Sequence, residues 1–259
     1  MIKQSIKRAL ELTGIEVRRK SAYDYSAVKP VEFSRADLQV LDTVTENRWT
    51  MASRERVVAT INACKHAVQS GIEGDFVECG VWRGGNSIAA KLTFENYGSD
   101  KKVWLFDTFA GMTPPTEFDH TPFSDRSTED RFEETRKGDH NDWCFASLED
   151  VRANFEKSGA DLRGVKMVPG DVMKTLANKR NLPARMSVLR LDTDFYDSTK
   201  VEMEVLYPRL STGGSLLIDD FGHWDGARRA VEEYFDGLPP GSRPLLHYTD
   251  YTGRMGVKI

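Results

Sequence analysis

Leu191-Asp192-Thr193-Asp194-Phe195-Tyr196 and Ile218-Asp219-Asp220-Phe221 decide how this chain is read. Each is an apolar run that closes on paired carboxylates. Asp192 and Asp219 are 27 positions apart, the length of one strand–helix–strand crossover. Both pairs therefore fall at the same sheet edge, on neighbouring strands. In an open α/β sheet that carboxyl edge is where ligands bind. Four acids gathered there are costly unless something positive stands between them, and hard divalent cations take carboxylate oxygens. The two strand ends are the leading candidate for a metal site. Asp194 also suits the N-cap of a helix beginning near Ser198.

Outward from these ends, apolar runs at 76–79, 103–107, 165–169, 186–192 and 215–219 alternate with helical patterns at 53–70, 86–97, 147–157 and 227–234. Such alternation reads as a mostly parallel sheet covered on both faces. Residues 245–249 and 255–258 read as a terminal hairpin turned at Tyr251-Thr252-Gly253. The expected architecture is a doubly wound α/β domain over 51–259, preceded by an extension or lid over 1–50. Within the extension, Ile2, Ile6, Ala9 and Leu10 recur at helical spacing among Lys3, Lys7 and Arg8. That amphipathic helix over 1–20 suits peripheral contact with an anionic membrane, or a contact between copies in a homo-oligomer. Residues 21–50 read as loop-rich. Residues 109–141 are polar, rich in Pro, Asp and Thr, and too long for an ordinary connector, so they read as a functional insertion or lid.

The 259 residues are 39% apolar and 29% charged, with a net charge of −4. This composition supports a core and argues against nucleic acid as the partner. No apolar run reaches the roughly 18 residues that span a bilayer, and the basic start lacks the h-region of a secretory signal. Cys64, Cys79 and Cys144 are far apart, which fits a reducing cytoplasm without a disulfide framework or a zinc cluster.

Three further motifs carry chemistry. In Glu78-Cys-Gly-Val-Trp-Arg-Gly-Gly-Asn-Ser87 a strand runs into a glycine-bearing turn and then a helix. Glycines there let the backbone approach a ligand closely, and Glu78 suits a cationic or amine-bearing one. The spacing matches neither the dinucleotide fingerprint nor a P-loop. Asp107, ending the second strand, is placed to accept hydrogen bonds from a ribose diol. His140, in a long polar loop, is either solvated or a general base for a hydroxyl near the metal.

These stretches together resemble the macrocin O-methyltransferase family, which methylates deoxysugars on macrolides and related natural products. The resemblance rests on Asp75-Phe-Val-Glu-Cys-Gly-Val-Trp-Arg-Gly-Gly85, Val103-Trp-Leu-Phe-Asp-Thr-Phe109, Leu191-Asp-Thr-Asp-Phe-Tyr-Asp-Ser-Thr199, Leu206-Tyr-Pro-Arg-Leu-Ser-Thr-Gly-Gly214 and Ile218-Asp-Asp-Phe221, and spans roughly residues 48 to 235. It implies a class I S-adenosylmethionine fold with a seven-stranded sheet, and magnesium-dependent methyl transfer to a sugar hydroxyl. It implies that Glu78, Gly80 and Gly84 line the methionine end of the cofactor, that Val81 and Ser87 also bind the cofactor, that Asp107 holds the ribose, and that Asp171 lies near the adenine. Thr50, Met51 and Arg54 match a segment that helps close the cofactor site. Asp192, which also borders the cofactor, joins Asp219 and Asp220 as magnesium ligands, and His140 falls where the family has a histidine near the acceptor. The chain departs from the pattern at Thr193, where the family often has glycine. It also departs over 110–140 and the first forty residues, the segments that choose the acceptor.

The physics agrees with such chemistry. Methyl transfer from a sulfonium is an in-line displacement, so alignment supplies much of the rate. A sugar hydroxyl is a poor nucleophile at neutral pH, and a magnesium ion beside it lowers its pKa. His140 or a carboxylate such as Asp192 then takes the proton. The rival readings are methylation of a catechol or other phenol on the same fold, a nicotinamide-dependent oxidoreductase, and a non-catalytic cofactor-binding protein.

Overall fold

The computed structural model describes residues 29–259; the helix expected over 1–20 lies outside the described residues. Residues 34–259 form one compact unit. Residues 29–33 belong to the amino-terminal unit and make a turn in which Phe33 N donates to Pro30 O at 3.1 Å.

Five parallel strands build the frame: β1 (Asp75–Cys79), β2 (Val103–Asp107), β3 (Val165–Pro169), β4 (Met186–Leu191) and β5 (Leu210–Ile218). A terminal hairpin of β6 (His247–Tyr248) and β7 (Arg254–Val257) extends the sheet, with β7 antiparallel to β5. The order is β3-β2-β1-β4-β5-β7-β6. The expected seven-stranded, doubly wound sheet is therefore the observed one. Its central strands are buried on both faces, which is why every residue of β4 is buried and its sequence, Ser187 and Arg190 apart, is apolar rather than alternating. Val77, Leu189, Leu216 and Ile218 form the core with Met203 and Val231 from the helices.

Among the described residues, two helices precede the sheet, α1 (Arg35–Glu46) and α2 (Arg54–Gln69). The first corrects the loop-rich reading of 21–50. Ser34 and Asp37 form a capping box, and Val40, Leu41 and Val44 face inward. The buried face also carries Asp37, which meets Lys65 Nζ at 2.9 Å and the Tyr97 hydroxyl at 3.1 Å. A charged pair on the inner face blurs the apolar periodicity that would have announced the helix. Helix α3 (Gly85–Asn96) follows β1, and α5 (Leu148–Ser158) begins at a capping box of Ser147 and Asp150.

The insertion after β2 is ordered and contains a short helix, α4 (Thr128–Thr135), that its polar sequence conceals. Its two ends are stitched together. Asn141 N donates to Ala110 O at 2.8 Å and Met112 N to Trp143 O at 3.1 Å. The buried Asp119 ties its middle to the domain by accepting from Tyr196 N at 2.7 Å, at the start of α7 (Tyr196–Val205). Between β3 and β4 lies the one-turn α6 (Val172–Thr175), and α8 (Asp225–Asp236) follows β5.

Candidate active site

Strand β1 has β2 on one side and β4 on the other, so the chain's direction of travel across the sheet reverses there. A crevice opens at such a switch point. Leaving β1, the chain turns at Gly80 with φ +77. A Cβ at this position would collide with the Asp192 carbonyl, so the glycine is required by the neighbouring strand end as well as by the turn. Trp82 takes φ +46, and Gly84, at φ +86, is the left-handed residue from which α3 starts. The Asp107 carboxylate closes this turn by accepting from Val81 N at 2.6 Å, Trp82 N at 3.1 Å and Phe109 N at 2.7 Å. Burial nevertheless raises its pKa, against those hydrogen bonds.

Two cavities meet at the carboxyl edge. Gly80, Asp107, Gly111, Gly170, Asp171 and Ser198 line the first. Arg56, Trp143, Asp220, His223, Trp224 and Tyr251 line the second, of about 290 Å³. Met51, Trp82, Cys144, Asp192 and Asp194 line both. The strand-end acids thus form the wall the cavities share.

Asp192, Asp194 and Asp220 each bring a carboxylate oxygen within 4.8 Å of the others. Burial raises the pKa of all three. Asp194, pushed further by the Asp192 charge, reaches about 7. Asp194 joins this group by adopting φ +68, a conformation unfavourable for a side-chain-bearing residue. Asp219, expected as a third metal ligand, is held differently: Arg190 Nη2 and Arg56 Nη1 each donate to one of its oxygens. The buried Arg190 also donates to Glu78 at 2.8 Å and Asp192 at 2.5 Å. Arg56 reaches Asp250, in the β6–β7 turn, at 2.9 Å.

The other expected residues divide. Asp171 lines the first cavity and caps α6 by accepting from Met173 N at 2.9 Å. Glu78 faces the second cavity, where Arg190 and Ser87 hold its carboxylate; burial pushes its pKa to about 7. Val81 lines the second cavity, as does Thr50, which accepts from Asn86 Nδ2 at 3.2 Å. Arg54 lines neither cavity and lies 3.4 Å from Asp42.

His140 also lines neither cavity. Its Nδ1 lies 2.9 Å from Asp139 and its Nε2 3.1 Å from Asp142, contacts that raise its pKa, Asp139 foremost. The histidine in the second cavity is His223, whose pKa is lowered by burial and by Arg56 and Arg131. Its ring stacks on Phe123 with centroids 5.2 Å apart, and its Nδ1 lies 3.2 Å from the Tyr251 hydroxyl. Sequence reasoning missed Arg190, Arg56 and this aromatic rim. Only Arg190 left a signal, as a cation inside an otherwise apolar strand, which demands buried partners.

A doubly wound sheet with a glycine turn, an acid ending β2 and an acidic wall at the switch point defines a class I methyltransferase architecture. The macrocin-O-methyltransferase (TylF) family model matches residues 4–238, and the chain belongs to that family. It is an S-adenosylmethionine-dependent O-methyltransferase. Over 186 residues it is 37% identical to 8-demethyl-8-(2,3-dimethoxy-alpha-L-rhamnosyl)-tetracenomycin-C 4'-O-methyltransferase of Streptomyces olivaceus, covering 71% of this chain and 67% of that one. It is 34% identical to mycinamicin III 3''-O-methyltransferase of Micromonospora griseorubida, covering 72% and 70%. The solved O-methyltransferase NovP shares the fold with a TM-score of 0.72 at 24% identity, over 86% of this chain and 97% of NovP.

Proposed function

We propose that this enzyme transfers a methyl group from S-adenosylmethionine to a sugar hydroxyl of a glycosylated small molecule, with a divalent cation, magnesium, at the acidic wall. The observation that carries this reading is that the two cavities share Asp192 and Asp194. A donor in one and an acceptor in the other meet at that wall. The names of the two relatives, which specify sugar positions, support the acceptor class.

The residues fit both groups. Gly80, Gly111 and Gly170 leave backbone open along the first cavity, and Asp107 and Asp171 present carboxylates to it. Glu78, expected at its methionine end, lines the second cavity, where Ser87 and Arg190 fix its carboxylate. For the cation, Asp192, Asp194 and Asp220 converge as an all-oxygen set, the chemistry a hard ion selects. Magnesium held there supplies a Lewis acid that lowers the pKa of an adjacent hydroxyl.

The chain's own residues do the rest. Asp192 and Asp220 provide the ligands common to the sequence reading and the geometry. Arg190 and Arg56 keep Asp219 as a counter-ion beside them. Asp194, on the wall between donor and acceptor, would hold the ion through one carboxylate oxygen and takes the hydroxyl proton on the other as the hydroxyl oxygen attacks the methyl carbon and the carbon–sulfur pair returns to sulfur. His140 is the alternative base, and its two carboxylate partners favour the protonated ring. Trp143, Trp224 and Tyr251 offer faces to the C–H surface of a sugar ring.

Calorimetric titration of S-adenosylhomocysteine, followed by a magnesium-supplemented acceptor panel of glycosides and catechols, tests the reading. No cofactor binding, or turnover of catechols alone, rejects it. For the basic residues 1–20 we propose contact with anionic membrane. Equal sedimentation with anionic liposomes by the full chain and by a version lacking 1–20 would reject that contact.

A further inference from the structure

Glu202 is wholly buried on α7, away from both cavities, and the methyl-transfer chemistry makes no use of it. Its Oε1 accepts from the Thr193 hydroxyl at 2.9 Å, whereas Oε2 is buried with no hydrogen-bond partner. Burial pushes its pKa to about 8, so the carboxyl is uncharged at neutral pH. An unpaired buried charge there would be far more costly. The Thr193 hydroxyl holds this acid directly, and the buried Cys79 thiol stands against it from β1.

Thr193 is pinned at a second point. Its carbonyl accepts from Phe195 N at 2.8 Å and from the Ser198 hydroxyl at 3.3 Å. Between these anchors Asp194 takes its left-handed φ of +68 and turns its carboxylate toward Asp192 and Asp220. Residues held in such conformations persist only where their surroundings over-determine them. A glycine at 193, the residue the family resemblance leads one to expect, would have no side chain to anchor.

We propose that Thr193 and Glu202 form a buried clamp that sets the Asp192–Asp194 turn, making Glu202 a positioning residue for the methyl-transfer site. The clamp rests on the proposed roles of Asp192 and Asp194. It acts from behind the wall, through the backbone of Thr193, on the aim of Asp194.

Manganese binding by the full chain, read by electron paramagnetic resonance, and crystal structures of the variants test it. Thr193→Val and Glu202→Ala are each expected to weaken Mn²⁺ binding about tenfold, the effect of losing support behind a ligand, and to release Asp194 from its left-handed conformation. The double variant is expected to lose no more than either single one, because both remove the same hydrogen bond. Glu202→Gln keeps an acceptor for the hydroxyl and is expected to retain the wild-type affinity and the Asp194 conformation. Unchanged Mn²⁺ affinity together with an unchanged Asp194 φ in Thr193→Val overturns the clamp. A wild-type chain that binds no Mn²⁺ rejects the metal reading instead, and the Asp194 φ in the variant crystals then decides the clamp by itself.

Discussion

Arg190 stands directly across from Glu78 in the β1–β4 ladder, and one guanidinium serves Glu78, Asp192 and Asp219 together. Four charged groups are thereby held at the end of a core strand, with the cation on the inside and the acids around it. Removing one member of a buried ionic group leaves the others uncompensated, which costs about 3–5 kcal/mol. Arg190→Met is expected to destabilise the fold by that order in urea unfolding. Arg190→Lys is expected to recover only part of it, because an ammonium lacks the planar fork that reaches three carboxylates.

Gly80 is expected to tolerate no side chain. Its left-handed φ alone costs a substituted residue about 1–2 kcal/mol, and the collision with the Asp192 carbonyl adds to this. In Gly80→Ala the two strand ends must part, shifting the acidic wall. Calorimetry should show S-adenosylhomocysteine affinity lowered by more than about tenfold, with a reduced unfolding midpoint.

Asp220→Asn removes an oxygen charge from the converging set without changing its shape. The magnesium concentration needed for half-maximal turnover is expected to rise by about 10–100-fold, with S-adenosylhomocysteine affinity unchanged in EDTA. Equal magnesium dependence in variant and wild type would remove Asp220 from the ligand set.

Asp194 and His140 are separated by paired substitutions. Asp194→Asn is expected to lower kcat by about 10²–10⁴-fold, the usual worth of a positioned base. His140→Ala is expected to stay within about threefold of wild type, consistent with a ring that lines neither cavity and is shared by Asp139 and Asp142. The reverse pattern would transfer the base to His140.

Glu202 makes stability depend on pH. Its pKa rises from 4.5 in the free group to about 8 in the fold. The folded chain therefore keeps a proton that the unfolded chain releases, and stability falls as pH climbs between those values. Thermal unfolding from pH 5 to 8 should show this decline, on the order of a few kcal/mol in all. Glu202→Gln should flatten it.

The fold was largely legible because the parallel strands are short, mostly apolar runs closed by glycine, proline or an acid and separated by helical patterns. The Gly80 turn, Asp107 and the strand-end acids were legible for the same reason: they sit where strands stop. Helix α1 was hidden by Asp37 on its inner face, and α4 by the polarity of its surroundings. The division of labour among the acids was out of reach. Asp192, Asp194, Asp219 and Asp220 look alike in sequence, and what sets Asp219 apart includes the side-chain reach of Arg56, 163 positions away. The aromatic rim was equally hidden, since Phe123, His223 and Tyr251 come from three separate loops.

The stitching of the insertion at Ala110–Asn141 and Met112–Trp143 has an evolutionary reading. A segment whose entry and exit are fastened to each other can lengthen, shorten or change composition while its base stays fixed. Phe123 and Arg131 are carried on that segment, whereas the acids are carried on the sheet. On the proposed function, part of the acceptor-side surface and the bond-making acids therefore sit on separate parts of the polypeptide. Transplanting residues 110–143 between relatives offers a way to redirect one without rewriting the other.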